Sequence, residues 1–168
     1  MAQIIIDGYN LMAKMDGMGG SLESRRERMI RVLSRYRTAR GHDVTVVFDG
    51  ERGEWPTESY DRSMGVDIVF SKIGEKADHV IKKMALQIAG EVVVITSDKE
   101  IASYVEHRGH VAIRSEDFLG RLRAPGGGSM ESPGEEEEPG RPTTTKKRGN
   151  PRKLSKGARR RVQKLGKL

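Results

Sequence analysis

The chain has 168 residues, enough for one domain with an appendage, and no cysteine, which excludes disulfides and thiolate-held zinc or iron–sulfur centres. Its opening residues Met1-Ala2-Gln3-Ile4-Ile5-Ile6-Asp7 lack the basic region and long apolar core of a signal peptide, and no stretch nears the roughly 20 apolar residues that span a bilayer, so a soluble, cytoplasmic protein without a membrane partner is expected. The net charge of +7 is unevenly placed: residues 1–130 hold 19 Lys+Arg against 19 Asp+Glu, residues 131–140 add five glutamates, and residues 141–168 carry 12 Lys+Arg and no acid, an asymmetry that points to a polyanionic partner.

Residues 3–7 form a short apolar run that predicts a buried first strand. From Ser21 to about Arg40, Leu22, Met29, Ile30, Val32, Leu33 and Tyr36 recur near helical spacing, with Ser21 as an N-cap and Gly41 as a stop. Val44–Phe48 is rich in β-branched residues and predicts a second strand. A polar loop with Gly53, Trp55 and Pro56 leads to a third short strand at Val66–Phe70, for which an antiparallel placement is open. Glu75 to about Ala89 has Ala77, Val80, Ile81, Met84, Ala85 and Ile88 on one helical face, and Gly90 ends it. Val92–Ile95 is the fourth strand. Ser97 to Glu100 fits the S-x-x-E capping pattern and opens a helix to about His107; His110–Ile113 gives a fifth strand and Ser115–Leu122 a last helix.

Strands alternating with helices imply an α/β domain over residues 1–123, with a mainly parallel central sheet of about five strands between helical layers. Residues 124–145, rich in Gly, Pro and Glu, have linker composition. Residues 146–168 are basic, with too few apolar positions to bury a core, and are expected to be a disordered tail.

Three hydrophobic runs stop at an aspartate: Ile4–Ile6 at Asp7, Val44–Phe48 at Asp49, and Val92–Ser97 at Asp98. In a parallel sheet these carboxylates crowd along the carboxyl edge, where ligands of open α/β sheets bind. Like charges so placed repel unless a cation sits among them, and carboxylate oxygens are the ligands Mg2+ and Mn2+ prefer. The plainer alternative is that each aspartate begins a turn or caps a helix, most readily for Asp98. Asn10, two residues beyond Gly8, offers an amide to a phosphate, to metal-bound water or to Asp7. Glu75 and Asp78, three apart in the first turn of a helix, form a second acidic pair on one face, although acids favour that position for the helix dipole alone. In the tail, Lys146, Lys147, Arg148, Arg152, Lys153, Arg159, Arg160 and Arg161 supply charge for phosphate contacts without an aromatic residue for base stacking. Solubilising charge is the alternative there.

Ile5-Ile6-Asp7-Gly8-Tyr9-Asn10-Leu11, Val46-Val47-Phe48-Asp49-Gly50, Glu75-Lys76-Ala77-Asp78 and Ile95-Thr96-Ser97-Asp98 occur in the order found in NYN domains, and over roughly residues 3–123 the chain resembles the YacP-like branch of these PIN-like ribonucleases. The resemblance implies a Rossmann-like PIN architecture and Mg2+- or Mn2+-dependent endonucleolytic cleavage of RNA. It places metal ligands at Asp7, Asp78 and Asp98, an acidic companion at Glu75, and adjoining polar site residues at Asn10 and Asp49. Relatives in this branch are linked to messenger RNA on the ribosome, which suggests the same setting here. Two other readings stand beside it. One is a non-catalytic RNA- or ribosome-binding protein with a vestigial acidic pocket. The other is a phosphotransfer enzyme, against which stands Tyr9 where an aspartyl-phosphate enzyme of the common type carries a second Asp.

Overall fold

The computed structural model describes residues 2–15, 19–50, 56–123, 159–161 and 163–164. The body is a six-stranded sheet in the order β3-β4-β2-β1-β5-β6. β1 (Gln3–Asp7), β2 (Asp43–Phe48), β4 (Val66–Phe70), β5 (Val92–Ile95) and β6 (Val111–Ile113) run parallel, and only β3 (Ser59–Ser63) is antiparallel. The mainly parallel α/β sheet is thus as expected, with one strand more. Val66–Phe70 pairs parallel with β2, so the antiparallel placement left open for it is not adopted; its antiparallel neighbour is the added β3. The turn joining β3 to β4 has Met64 and Gly65 both at positive φ (50° and 81°), the backbone a tight two-residue hairpin requires. The sequence predicts loop over β3 because Ser-Tyr-Asp-Arg-Ser carries no apolar alternation; as an edge strand it has no face to bury.

The period of two in each strand sorts the core into two layers. Ile4 and Ile6 of β1, with Val46 and Phe48 of β2 and Val93 and Ile95 of β5, face α1 (Gly8–Lys14), α2 (Leu22–Arg40) and α5 (Ser115–Arg123). Ile5, Val47, Val69, Val92 and Val94 face α3 (Ala77–Gln87) and α4 (Lys99–His107). Strands buried on both faces explain the unbroken apolar runs of the sequence. The termini of α2 are as predicted: Ser21 Oγ accepts the Ser24 N–H (3.2 Å), and Gly41 closes the helix at φ 68°.

α1 is an element the sequence did not announce. It begins directly at the end of β1, with Asp7 as its N-cap. Gly8 makes that junction possible, since a Cβ there would sit 2.6 Å from the Phe48 ring and 2.9 Å from Val46 Cγ1. Tyr9 then packs edge-on to Phe48, with centroids 5.2 Å apart. Among the described residues no helix is long and apolar enough to cross a membrane.

Candidate active site

Strand order reverses at β1: the chain proceeds from β1 to β2 and β4 on one side, then returns past β1 to β5 and β6 on the other. The crevice between β1 and β5, beyond their carboxyl ends, is the switch point at which such sheets take ligands. Ile6 is level with Ile95, so Asp7 stands beside Thr96, the first residue after β5. Thr96 Oγ1 donates to Asp7 Oδ2 (3.3 Å) and accepts the Asp98 N–H (3.1 Å), so one buried hydroxyl couples the two aspartates.

Asp7 and Asp98 both cap helices. Asp7 Oδ1 accepts the Asn10 N–H at 3.2 Å, and Asp98 Oδ1 accepts the N–H groups of Glu100 (2.7 Å) and Ile101 (3.3 Å). The capping pattern Ser97-x-x-Glu100 is therefore shifted by one residue: Asp98 is the cap, and the Ser97 hydroxyl donates to Glu116 (2.6 Å). That bond and Lys14 hold the Glu116 carboxyl low, at about 2.

Burial pushes the Asp7 carboxyl up to about 6. The bonds from Asn10 N–H and Thr96 oppose this, while the charges of Asp78 and Asp98 add to it. Asp7, Asp78 and Asp98 are thus brought within electrostatic reach of one another from β1, α3 and the end of β5. Among the described residues, however, no three acidic or histidine side chains are close enough to enclose a metal ion as they stand.

Asn10 is fixed by residues far away in the chain. Its Oδ1 accepts the Ser97 N–H (3.0 Å) and the Ser115 hydroxyl (2.7 Å). A backbone N–H can only donate, so this atom is the carbonyl oxygen, and neither bond uses the Nδ2 donors. Ser71, fully buried, does for Asp49 and Glu75 what Thr96 does for the aspartates. Its Oγ accepts the Gly50 N–H (2.9 Å), donates to the Glu75 carbonyl (2.5 Å) and lies 3.4 Å from Asp49 Oδ1. Gly50 is required at this crossing, because a Cβ would fall 1.8 Å from the Ser71 carbonyl oxygen. Glu75 is not in the first turn of α3 as expected. The helix starts at Ala77, and the Lys72–Glu75 turn, with Gly74 at φ 79°, sets Glu75 before it. Glu75 Oε2 is buried there without a hydrogen-bond partner.

Thr96, Ser71 and Ser115 were not singled out in the sequence. The only signal is that each is a hydroxyl at the carboxyl end of a strand. Trp55, the 124–145 segment and the tail cations Lys146, Lys147, Arg148, Arg152 and Lys153 lie outside the described residues. Residues 159–161 and 163–164 are helical, and Arg160, Arg161 and Lys164 are ion-paired to the body. Arg160 meets Glu91 (2.5 Å) and the Gly109 carbonyl (2.9 Å), Arg161 meets Glu106 (2.5 Å), and Lys164 meets Glu91 (2.6 Å).

An open, mainly parallel three-layer sheet with coupled carboxylates at its switch point defines a Rossmann-like domain with an acidic site. The chain belongs to the YacP-like NYN domain family, a branch of the PIN-like nucleases; the family model matches residues 4–166. The match runs through the basic tail, beyond residue 123 where the motif resemblance stops. Two solved structures of Rae1 (YacP) from Bacillus subtilis are similar. One, of a point mutant, has 26% identity over 73% of this chain and 76% of its own, with a TM-score of 0.61. The other has 26% identity over 73% and 74%, with a TM-score of 0.59. No curated protein is a significant match.

Proposed function

We propose that this protein is a divalent-metal-dependent endoribonuclease hydrolysing phosphodiester bonds in single-stranded RNA, messenger RNA on the ribosome included. The observation that carries the reading is the pair of strand-end aspartates at the switch point, Asp7 and Asp98, joined through the Thr96 hydroxyl, with the charge of Asp78 reaching Asp7 from α3. The donor chemistry fits the ion. Asp7, Asp78 and Asp98 offer only oxygen, as Mg2+ and Mn2+ require, and Glu75 Oε2 is a buried acceptor with no partner. When bound, the ion supplies charge neutralisation at the phosphate and activation of the attacking water.

The remaining work falls to the chain itself. Thr96 holds the Asp7 carboxylate and the Asp98 backbone through one hydroxyl. Asn10, clamped through Oδ1, presents Nδ2 donors to a phosphate oxygen. Asp49 and Glu75, tied through Ser71, border the site on the β2 side.

Incubating the purified protein with defined RNAs, with and without Mg2+ or Mn2+, tests this. Asp7→Asn and Asp98→Asn should abolish cleavage yet keep the fold, because Asn is an equally good N-cap. Wild-type turnover by either variant would sink the assignment. The wide spacing of the acids favours a second reading, a non-catalytic RNA-binding protein with a vestigial pocket. Its RNA binding would be indifferent to the metal, and no cleavage would appear.

A further inference from the structure

The tail does more than add charge. α4 carries Lys99, Ala102, Ser103 and Glu106 at i, i+3, i+4 and i+7, one stripe along the helix. Glu106, at its end, binds Arg161; Ala102 and Ser103, being small, leave a cleft between that stripe and the end of β6. This cleft, of about 330 Å³, is walled by Thr96, Ser97, Asp98, Lys99, Arg114 and Arg161 among others. Three basic residues and one acidic residue thus line a cavity that opens directly beside the acidic site. Arg161 spends its Nε–H and one Nη2 donor on a single oxygen of Glu106. A guanidinium has five N–H donors, so three are not spent on Glu106, and among the described residues no other partner of Arg161 is seen.

We infer that the C-terminal helical segment completes a phosphate-binding subsite next to Asp98. Glu91 and Glu106 anchor the segment, and Arg161, with Lys99 and Arg114, holds a backbone phosphate of the RNA adjoining the one that is cleaved. This rests on the ribonuclease reading for the identity of the ligand. The acids of the body thus have an unusual role for a protein that binds a polyanion: they repel it at long range and yet build the place where it binds.

That opposition makes the test decisive. Binding of a fluorescent single-stranded RNA to the full chain is measured in EDTA, where no cleavage is needed. Arg161→Gln should weaken binding about tenfold, as loss of one charge-assisted phosphate contact does. Arg40→Gln removes the same charge at the far end of α2 and should change binding less than twofold. Glu91→Gln with Glu106→Gln raises the net charge by two but releases the tail, and should weaken binding about threefold or more. Circular dichroism melts confirm that these surface variants fold. Equal losses for Arg161→Gln and Arg40→Gln, or tighter binding by the double glutamine variant, would overturn the subsite: the tail would then be a diffuse cation or an inhibitory strap. A wild-type protein that binds RNA in this pattern but never cleaves it would remove the nuclease reading and leave the subsite standing.

Discussion

Asp7 is pulled two ways. As an N-cap it accepts a backbone N–H, which favours the carboxylate; buried among carboxylates it favours the neutral acid, and burial wins. The consequence for stability has a definite sign. Below about pH 4 the carboxyl is protonated in the folded and unfolded chains alike and costs nothing. Between the ordinary value of 3.8 and about 6 the unfolded chain gives up the proton first, so stability falls as pH rises through that window. Above it the full penalty stands, about 3 kcal/mol for a shift of this size. Asp7→Asn removes the penalty. In chelator it should therefore raise the melting temperature at pH 7.5 and leave it nearly unchanged at pH 4. A gain of the same size at both pH values would mean that the benefit is packing and not charge.

The crossing of β2 with the turn before α3 depends on a missing side chain. A Cβ on Gly50 would meet a backbone oxygen, which cannot swing aside as a flexible side chain would. Gly50→Ala should cost roughly 2 kcal/mol or more, by forcing the Ser71 turn away and freeing Asp49 and Glu75 with it. Gly120→Ala on α5, where nothing lies within 4 Å, should instead stabilise by about 0.5–1 kcal/mol. Thermal melts of the two variants moving in the same direction would refute the argument. Such a crossing is invisible in a sequence, which displays only a Gly after an Asp. What the sequence does display is burial: the β-branched runs of β1, β2, β4 and β5, and the cap and stop of α2. It conceals elements whose neighbours decide them. α1 starts without a break from β1, and β3 is polar because the hairpin to β4, not apolar burial, orders it.

The acids of the candidate site divide in the same manner. Asp7 and Asp98 are readable as strand-end aspartates, whereas Asp78 is readable only as half of an acidic pair with Glu75; that it joins them comes from resemblance, since its nearness needs the whole sheet in place. The Asn10 clamp joins positions 87 and 105 residues apart, which no local pattern encodes. If the carboxylates hold a divalent ion, Mn2+ or Mg2+ should raise the melting temperature of the wild-type chain in a concentration-dependent way and leave Asp7→Asn unmoved. An identical shift in both would place the ion elsewhere. The tail is judged by salt. Arg160, Arg161 and Lys164 already hold Glu91 and Glu106 in the free protein, through partly exposed pairs individually worth about 1 kcal/mol. Deleting residues 141–168 should weaken RNA binding and flatten its dependence on salt. The slope should fall by less than the roughly 0.7 per charge that 12 unpaired cations on a single strand would give, because paired cations release fewer counterions. An unchanged slope would remove the tail from RNA binding, and a drop matching all 12 would mean that the ion pairs with the body do not hold in solution.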